Sequence, residues 1–234
     1  MTTDEKNPAK LSATVGGLFP AGALAAEMRD PGNPALLFPE EAAHLGRAVP
    51  KRVQEFAAGR LCARRVLTEL GIKDFPIKAA SDRQPMWPVG VAGSITHTTG
   101  FCAAVAADKK HLVALGLDSE LAGSVKTELW QSLFRDDETR WLRTLPPSEQ
   151  AAAATSIFCA KEAFYKCQYP LTREWLNFHD VWVELPAWGA AQGAFNIHAS
   201  RGIAFASHAV LPLKGRFLFH EEFVTAGVAL PASQ

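Results

Sequence analysis

A chain of 234 residues, 48% hydrophobic and 21% charged, is long enough for one large domain or two small ones and is not composed like a disordered segment. Its 24 Lys and Arg balance 24 Asp and Glu, so no whole-molecule field draws it to nucleic acid or an anionic membrane, and any anion binding must come from a local basic cluster. Residues 1–10 lack the apolar core of a secretory signal and no later run approaches the ~20 apolar residues of a membrane span, which points to a cytoplasmic protein.

Residues 1–40 show no clear period and read as loop with short strands. From Pro39 to Leu70, Arg52, Phe56, Arg60, Leu61, Val66, Leu67 and Leu70 recur at helical spacing, with Gly71 as a stop, so one or two amphipathic helices are expected. Arg52, Arg60, Arg64 and Arg65 load this segment with positive charge. The proline- and glycine-punctuated 76–93 reads as an extended loop leading into Ser94-Ile95-Thr96-His97. Two apolar runs, 101–107 and 113–117, flank the polar turn Asp108-Lys109-Lys110-His111, and a hairpin is the simplest assignment.

Residues 129–145 resemble a helix ended by Pro146-Pro147, and 148–168 a second one, capped by Ser148 and stopped before Pro170. Four or five short strands are expected over 181–185, 195–198, 204–211, 216–219 and 223–230. No sequence repeat is evident. Cys62, Cys102, Cys159 and Cys167 lack paired metal-site or redox spacing and read as small buried hydrophobes.

The second of these helices holds the chemistry. In Phe158-Cys159-Ala160-Lys161-Glu162-Ala163-Phe164-Tyr165-Lys166, Glu162 and Lys166 share a face and Lys161 lies beside them. By charge spacing alone this reads first as a surface Glu-to-Lys pair, although the apolar neighbours leave little room for a wide polar face. In Gly116-Leu117-Asp118-Ser119-Glu120, the two acids point to one side of an extended strand, and two like charges side by side call for a cation such as magnesium. An Asp-x-Glu at a strand end is also a common solvated turn. Gly93-Ser94-Ile95-Thr96-His97 offers a hydroxyl and an imidazole suited to a phosphate, while a nucleophilic Ser94 lacks the surrounding G-x-S-x-G elbow.

These three segments resemble, in order and spacing, the three signature motifs of the Sfp-type 4′-phosphopantetheinyl transferases. Glu55-Phe56-Ala57-Ala58-Gly59-Arg60 with Arg64, and Arg83-Gln84-Pro85-Met86-Trp87-Pro88, are similar to the subgroup represented by enterobactin synthetase component D. The resemblance covers about 50–170. Two positions depart from it: Ser119 where an aliphatic residue is commoner, which bears on packing rather than on the acids, and Cys159 in place of Ser or Thr.

The resemblance implies an α+β fold of two similar halves, 1–112 and 113–234, each a small sheet packed on a long helix, with coenzyme A in the cleft between them. It implies transfer of the phosphopantetheine arm of coenzyme A to a serine of acyl, peptidyl or aryl carrier proteins, in fatty acid, nonribosomal peptide or siderophore biosynthesis. Asp118, Glu120 and Glu162 would hold magnesium; Lys166 and Lys161 would neutralise phosphate oxygens. His97 with Ser94 would take the 3′-phosphate, and Arg60 and Arg83 the nucleotide end. Glu162 or a metal-bound water would serve as base, the attacking serine belonging to the partner. A monomer is expected. Two rivals remain at this stage: a magnesium-dependent nucleotide or coenzyme A hydrolase or phosphotransferase with a small acceptor, and a non-catalytic nucleotide-binding module.

Overall fold

The computed structural model describes residues 7–232 apart from Asp30, Ala187 and Arg201. The first six residues of the expected N-terminal loop therefore lie outside the described residues. The chain divides into two compact units, residues 1–115 with 231–234 and residues 116–230. The division falls inside one strand, where the sequence suggested 112/113.

The first unit holds β1 (Lys10–Leu11), α1 (Ala13–Gly16), β2 (Leu24–Met28), a 3-10 turn (Pro34–Leu36), α2 (Pro39–Ala42), α3 (Pro50–Glu69), β3 (Val91–Thr98), β4 (Phe101–Asp108) and the start of β5 (Leu112–Leu121). Its sheet runs β1-β2-β4-β3, every pairing antiparallel. Helix α3 begins with Pro50, whose fixed φ suits the first turn. Beyond its last residue, Glu69, Gly71 takes φ 81° so that Gly71 N–H reaches Thr68 O (3.0 Å) and Ile72 N–H reaches Leu67 O (2.9 Å). Its inner face, Ala58, Leu61, Cys62, Val66 and Leu67, packs with Met28, Ile77 and Ala104 in the unit's core.

The expected hairpin of 101–107 with 113–117 does not form. The turn is present, closed by His111 N–H to Asp108 O (2.9 Å). However, β4 is flanked by β2 and β3, so both its edges are already paired and β5 joins a different sheet. The true hairpin partner is β3, in register from Val91↔Asp108 to Thr98↔Phe101. Glycine and proline around 85–93 hid that strand from the sequence pattern.

The second unit contributes a 3-10 turn (Thr127–Leu129), α4 (Trp130–Leu133), α5 (Asp136–Thr144), α6 (Pro147–Thr172), β6 (Val181–Glu184), β7 (Gln192–Ala199), a 3-10 turn (Ala204–Ser207), β8 (Leu213–His220) and β9 (Phe223–Pro231). Its sheet order is β5-β9-β8-β7-β6. Helix α6 turns Ala153, Ile157, Ala160, Phe164 and Cys167 inward, a stripe at alternating spacings of four and three, and all are at most 1% exposed. Full burial of one such phenylalanine contributes about 1.5–3 kcal/mol.

Three further expectations differ from the structure. The helix over 129–145 is broken, because Phe134 adopts extended geometry with its ring buried against Trp130 (6.3 Å), and Glu138 restarts the helix by accepting from Arg135 N–H (2.9 Å). Helix α6 starts at Pro147 rather than behind a Ser148 cap and continues past Pro170 to Thr172. A proline in the last turn forfeits only one intrahelical bond, and the helix then closes at Arg173 (φ 58°), whose N–H reaches Tyr169 O (2.9 Å). Segment 204–211 is not a strand: its 3-10 turn buries Phe205 edge-on to Phe164, ring centroids 5.1 Å apart. The result is the α+β class expected, two sheets each accompanied by a long helix.

Candidate active site

Strand β5 places Asp118 and Glu120 on one side and Ser119 on the other. Ser119 is fully buried, with its hydroxyl 2.8 Å from Thr225 Oγ1, so a serine is accommodated there by a polar partner on the adjacent strand. The distance between β5 and α6 is set at Gly116: a Cβ there would lie 1.7 Å from Ala163 O and 2.9 Å from Cys167 N. Only a residue without a side chain permits that approach. Next to this contact, Lys166 of α6 donates to Asp118 Oδ1 (2.6 Å) and to Leu117 O (3.1 Å).

Glu162 lies one helical turn before Lys166 and feels both strand acids. Burial first, then the Asp118 carboxylate, push its carboxyl above the ordinary value; Lys166 opposes this and Glu120 adds to it. Burial alone would depress Lys166, but the charge and hydrogen bond of Asp118, with Glu162, outweigh it and hold the ammonium above the ordinary lysine value. Cys159, fully buried beneath them, is driven well up by desolvation and then by Asp118 and Glu120. Its thiol donates to Val224 O (3.7 Å) and is inert.

Among the described residues, no three His, Cys, Asp or Glu side chains converge as a ready-made metal cage. Magnesium does not require one: it commonly takes one or two carboxylates, keeps waters and completes its shell on substrate phosphate. The donor set fits on that chemistry, being all oxygen and carrying mutually repelling charge that a cation relieves.

Lys161 is not brought to these acids. Its side chain is 1% exposed, and its ammonium donates to Glu138 Oε2 (2.6 Å), Phe178 O (2.8 Å) and Leu133 O (3.0 Å). Sequence reasoning missed Glu138 as the partner. The only available signal was its place in the first turn of α5, where a glutamate caps.

In the first unit, α3 carries Arg52, Phe56 and Arg60 one turn apart on one face. Arg60 is 6% exposed, stacks over Phe56 (4.0 Å) and donates Nε–H to Ile77 O (2.7 Å); desolvation, opposed by Glu41, brings its pKa down to about 10. At the start of the row, Arg52 Nη1 donates to His97 Nε2 on β3. A cavity of about 320 Å³ opens there, lined among others by Arg29, Lys51, Glu55, His97 and Thr99. Of its charged walls, Glu55 lies 3.9 Å from Lys51 and 3.7 Å from Arg52, and Arg29 stands beside them. Ser94, buried on β3 opposite Val105, lies in the same strand as His97. Arg83 stands apart on an exposed turn with φ 69°, its N–H bonded to Ala80 O (2.9 Å). From sequence Arg52 was read only as one charge of a basic segment, and Arg29 and Lys51 were not singled out, since nothing local marks them as neighbours of His97.

Comparison with known proteins accords with both halves. A family model described as 4′-phosphopantetheinyl transferase N-terminal domain matches residues 40–107, and the 4′-phosphopantetheinyl transferase superfamily model matches 114–223. The chain is 40% identical over 148 residues to 4′-phosphopantetheinyl transferase Svp of Streptomyces mobaraensis, covering 63% of this chain and 60% of that protein. It is 30% identical over 218 residues to 4′-phosphopantetheinyl transferase Npt of Nocardia iowensis, covering 91% and 97%. Enterobactin synthase component D of Salmonella typhimurium is 35% identical over 119 residues, covering 50% and 48%. The match thus spans about half to three fifths of two of these relatives and nearly all of Npt. With nearly its whole length aligned to Npt and both units matched in order, the chain belongs to the 4′-phosphopantetheinyl transferase superfamily.

Proposed function

We propose that this chain carries out the activity for which its family is named, moving the 4′-phosphopantetheine group of coenzyme A onto a serine hydroxyl of an apo carrier protein and releasing adenosine 3′,5′-bisphosphate. The observation that supports it most is Glu162 set against Asp118 and Glu120 with Lys166 at hydrogen-bond distance from Asp118. Phosphoryl transfer needs positioning and cations where charge develops on the leaving phosphate. Asp118, Glu120 and Glu162 would hold magnesium, which when bound neutralises that charge. Lys166 supplies a second cation to the pyrophosphate. Glu162 or a metal-bound water would take the proton of the incoming serine.

In the first unit, His97 and Arg52 would receive the 3′-phosphate, with Ser94, Arg60 and Arg83 serving the nucleotide end. The carrier is an acyl, peptidyl or aryl carrier domain; the likeness to enterobactin synthase component D favours siderophore assembly. The enzyme works as a monomer, without nucleic acid or membrane. Among the described residues no helix is long and apolar enough to cross a membrane.

The test is incubation with coenzyme A, magnesium and apo carrier, followed by intact mass of the carrier. A phosphopantetheine adduct is expected. Coenzyme A breakdown with no adduct on acyl, peptidyl and aryl carriers would instead favour a hydrolase. A second prediction concerns the anion site: removing the charge-assisted contacts in the R52A/H97A variant should raise KM for coenzyme A about tenfold or more. Steady-state kinetics should also show lost preference for coenzyme A over its 3′-dephospho form. Retained preference would move the 3′-phosphate elsewhere.

A further inference from the structure

The second unit's buried lysine has a counterpart in the first unit. In α5, Glu138 accepts Arg135 N–H at the helix start through Oε2 (2.9 Å) and Val183 N–H through Oε1 (2.8 Å). In α2, Glu41 accepts Phe38 N–H at the helix start through Oε2 (3.0 Å) and Ile77 N–H through Oε1 (2.9 Å). A cation follows each glutamate by 23 residues: Lys161 on α6 and Arg64 on α3. Both cations donate to the carbonyl three residues before the first helical residue, Lys161 to Leu133 and Arg64 to Leu36 (2.5 Å). Each also lies over a phenylalanine, Phe134 at 5.6 Å and Phe38 at 4.7 Å. The two units share this device although their sequences show no evident repeat.

The first unit carries the device without a carboxylate after its cation, since Arg65 follows Arg64 and pairs with Glu69 on the surface (2.7 Å). The motif therefore belongs to the fold rather than to metal chemistry. A lysine ammonium has three donors, and all three of Lys161 are engaged by protein acceptors. Successive helix residues are about 100° apart, so pinning Lys161 fixes the direction in which Glu162 leaves α6.

We propose that Lys161, held by Glu138, is a positioning residue that sets the rotation of α6 and so presents Glu162 and Lys166 to Asp118 and Glu120, and that it is not a ligand of coenzyme A. This rests on the reading of the acids as the transfer site. Arg64 adds a corollary: a guanidinium serves the same place, so K161R retains the function.

The test compares wild type, K161R and the double variant E138Q/K161M, which removes both buried charges together and avoids leaving one unpaired. Thermal melts first establish that each is folded at the assay temperature; if K161R fails to fold, the double variant carries the test alone. If the double variant fails to fold, K161R decides by its KM for coenzyme A. The readouts are kcat and KM for coenzyme A in carrier transfer, and magnesium affinity by calorimetry with coenzyme A present. Positioning predicts a kcat for E138Q/K161M lowered about tenfold or more, KM within about twofold, weaker magnesium binding, and K161R near wild type. A tenfold rise in KM for either variant at unchanged kcat would make Lys161 a coenzyme ligand, and unchanged kcat, KM and magnesium affinity in a folded double variant would leave it no positioning role. Both overturn the inference. A wild-type protein that transfers nothing overturns the site reading and the inference together, so the failures are distinguishable.

Discussion

Replacing Gly116 with alanine is expected to abolish transfer and to destabilise the second unit severely. The added Cβ would stand 1.7 Å from Ala163 O, 2.7 Å from Ala163 C and 2.9 Å from Cys167 N, and all three are backbone atoms of α6. No rotamer change relieves such a clash; α6 or β5 must move. Overpacking costs about 1–3 kcal/mol where side chains can yield, and more where they cannot. Roughly 3 kcal/mol or more corresponds to a melting temperature lower by about 6–12 °C in a chain of this size. The displacement also separates Glu162 and Lys166 from the strand acids, so residual folded protein should be inactive. Circular dichroism melts and carrier mass together check this. A G116A protein with wild-type melting temperature and activity would mean that β5 and α6 are not apposed at this residue.

The Glu162→Gln variant should have the opposite effect on stability and the same effect on activity. Burial and Asp118 raise the Glu162 carboxyl, with Glu120 adding and Lys166 opposing. A group whose folded pKa is raised contributes stability that is fully present below its unfolded pKa and lost as pH rises through the folded value. At pH 7.5 the ionised Glu162 therefore weakens the fold relative to a neutral side chain, while below roughly pH 4 it does not. E162Q should melt about 1–4 °C above wild type at pH 7.5 and level with it near pH 4. Transfer should fall by about 100-fold or more, on the scale of losing a general base together with one ligand. With coenzyme A already present, adding magnesium should raise the melting temperature of wild type more than that of E162Q, since the ion stabilises by mass action only the protein that binds it. Undiminished transfer by E162Q would remove Glu162 from the site. Equal melting temperatures at pH 7.5 would mean that its carboxyl is not under strain.

This trade of stability for a raised carboxyl explains why such a residue can be conspicuous in sequence. Glu162 and Lys166 interrupt an apolar helical run, and their i, i+4 spacing puts them on one face whatever α6 packs against. Asp118 and Glu120 are similarly fixed by the two-residue period of a strand. The structure joins Lys166 to Asp118 by a hydrogen bond, and the charges of Asp118 and Glu120 push the Glu162 carboxyl upward.

Lys161 and Arg60 were legible as charges but not as partners. Lys161 meets Glu138 from another helix, and Arg60 reaches Ile77 O in the segment after α3. Neither contact leaves a periodic trace. The same holds for β3, whose pairing with β4 was obscured by punctuating glycines, and for Phe205, where a β-like apolar segment became a 3-10 turn because its ring packs on Phe164.

The sequence by itself determined the long helices and the spacing of the acidic motifs, because each depends on periodicity within a single strand or helix; the α+β class came with the family that the ordered motifs resemble. Only the tertiary structure decided that β4 pairs with β3 rather than β5, that Lys161 is locked in a buried pair, and that both units carry the same glutamate and cation 23 residues apart. Those outcomes are set by which strand edges remain unpaired and which charges lose their water. Both are properties of residues distant in the chain, and no local pattern records them.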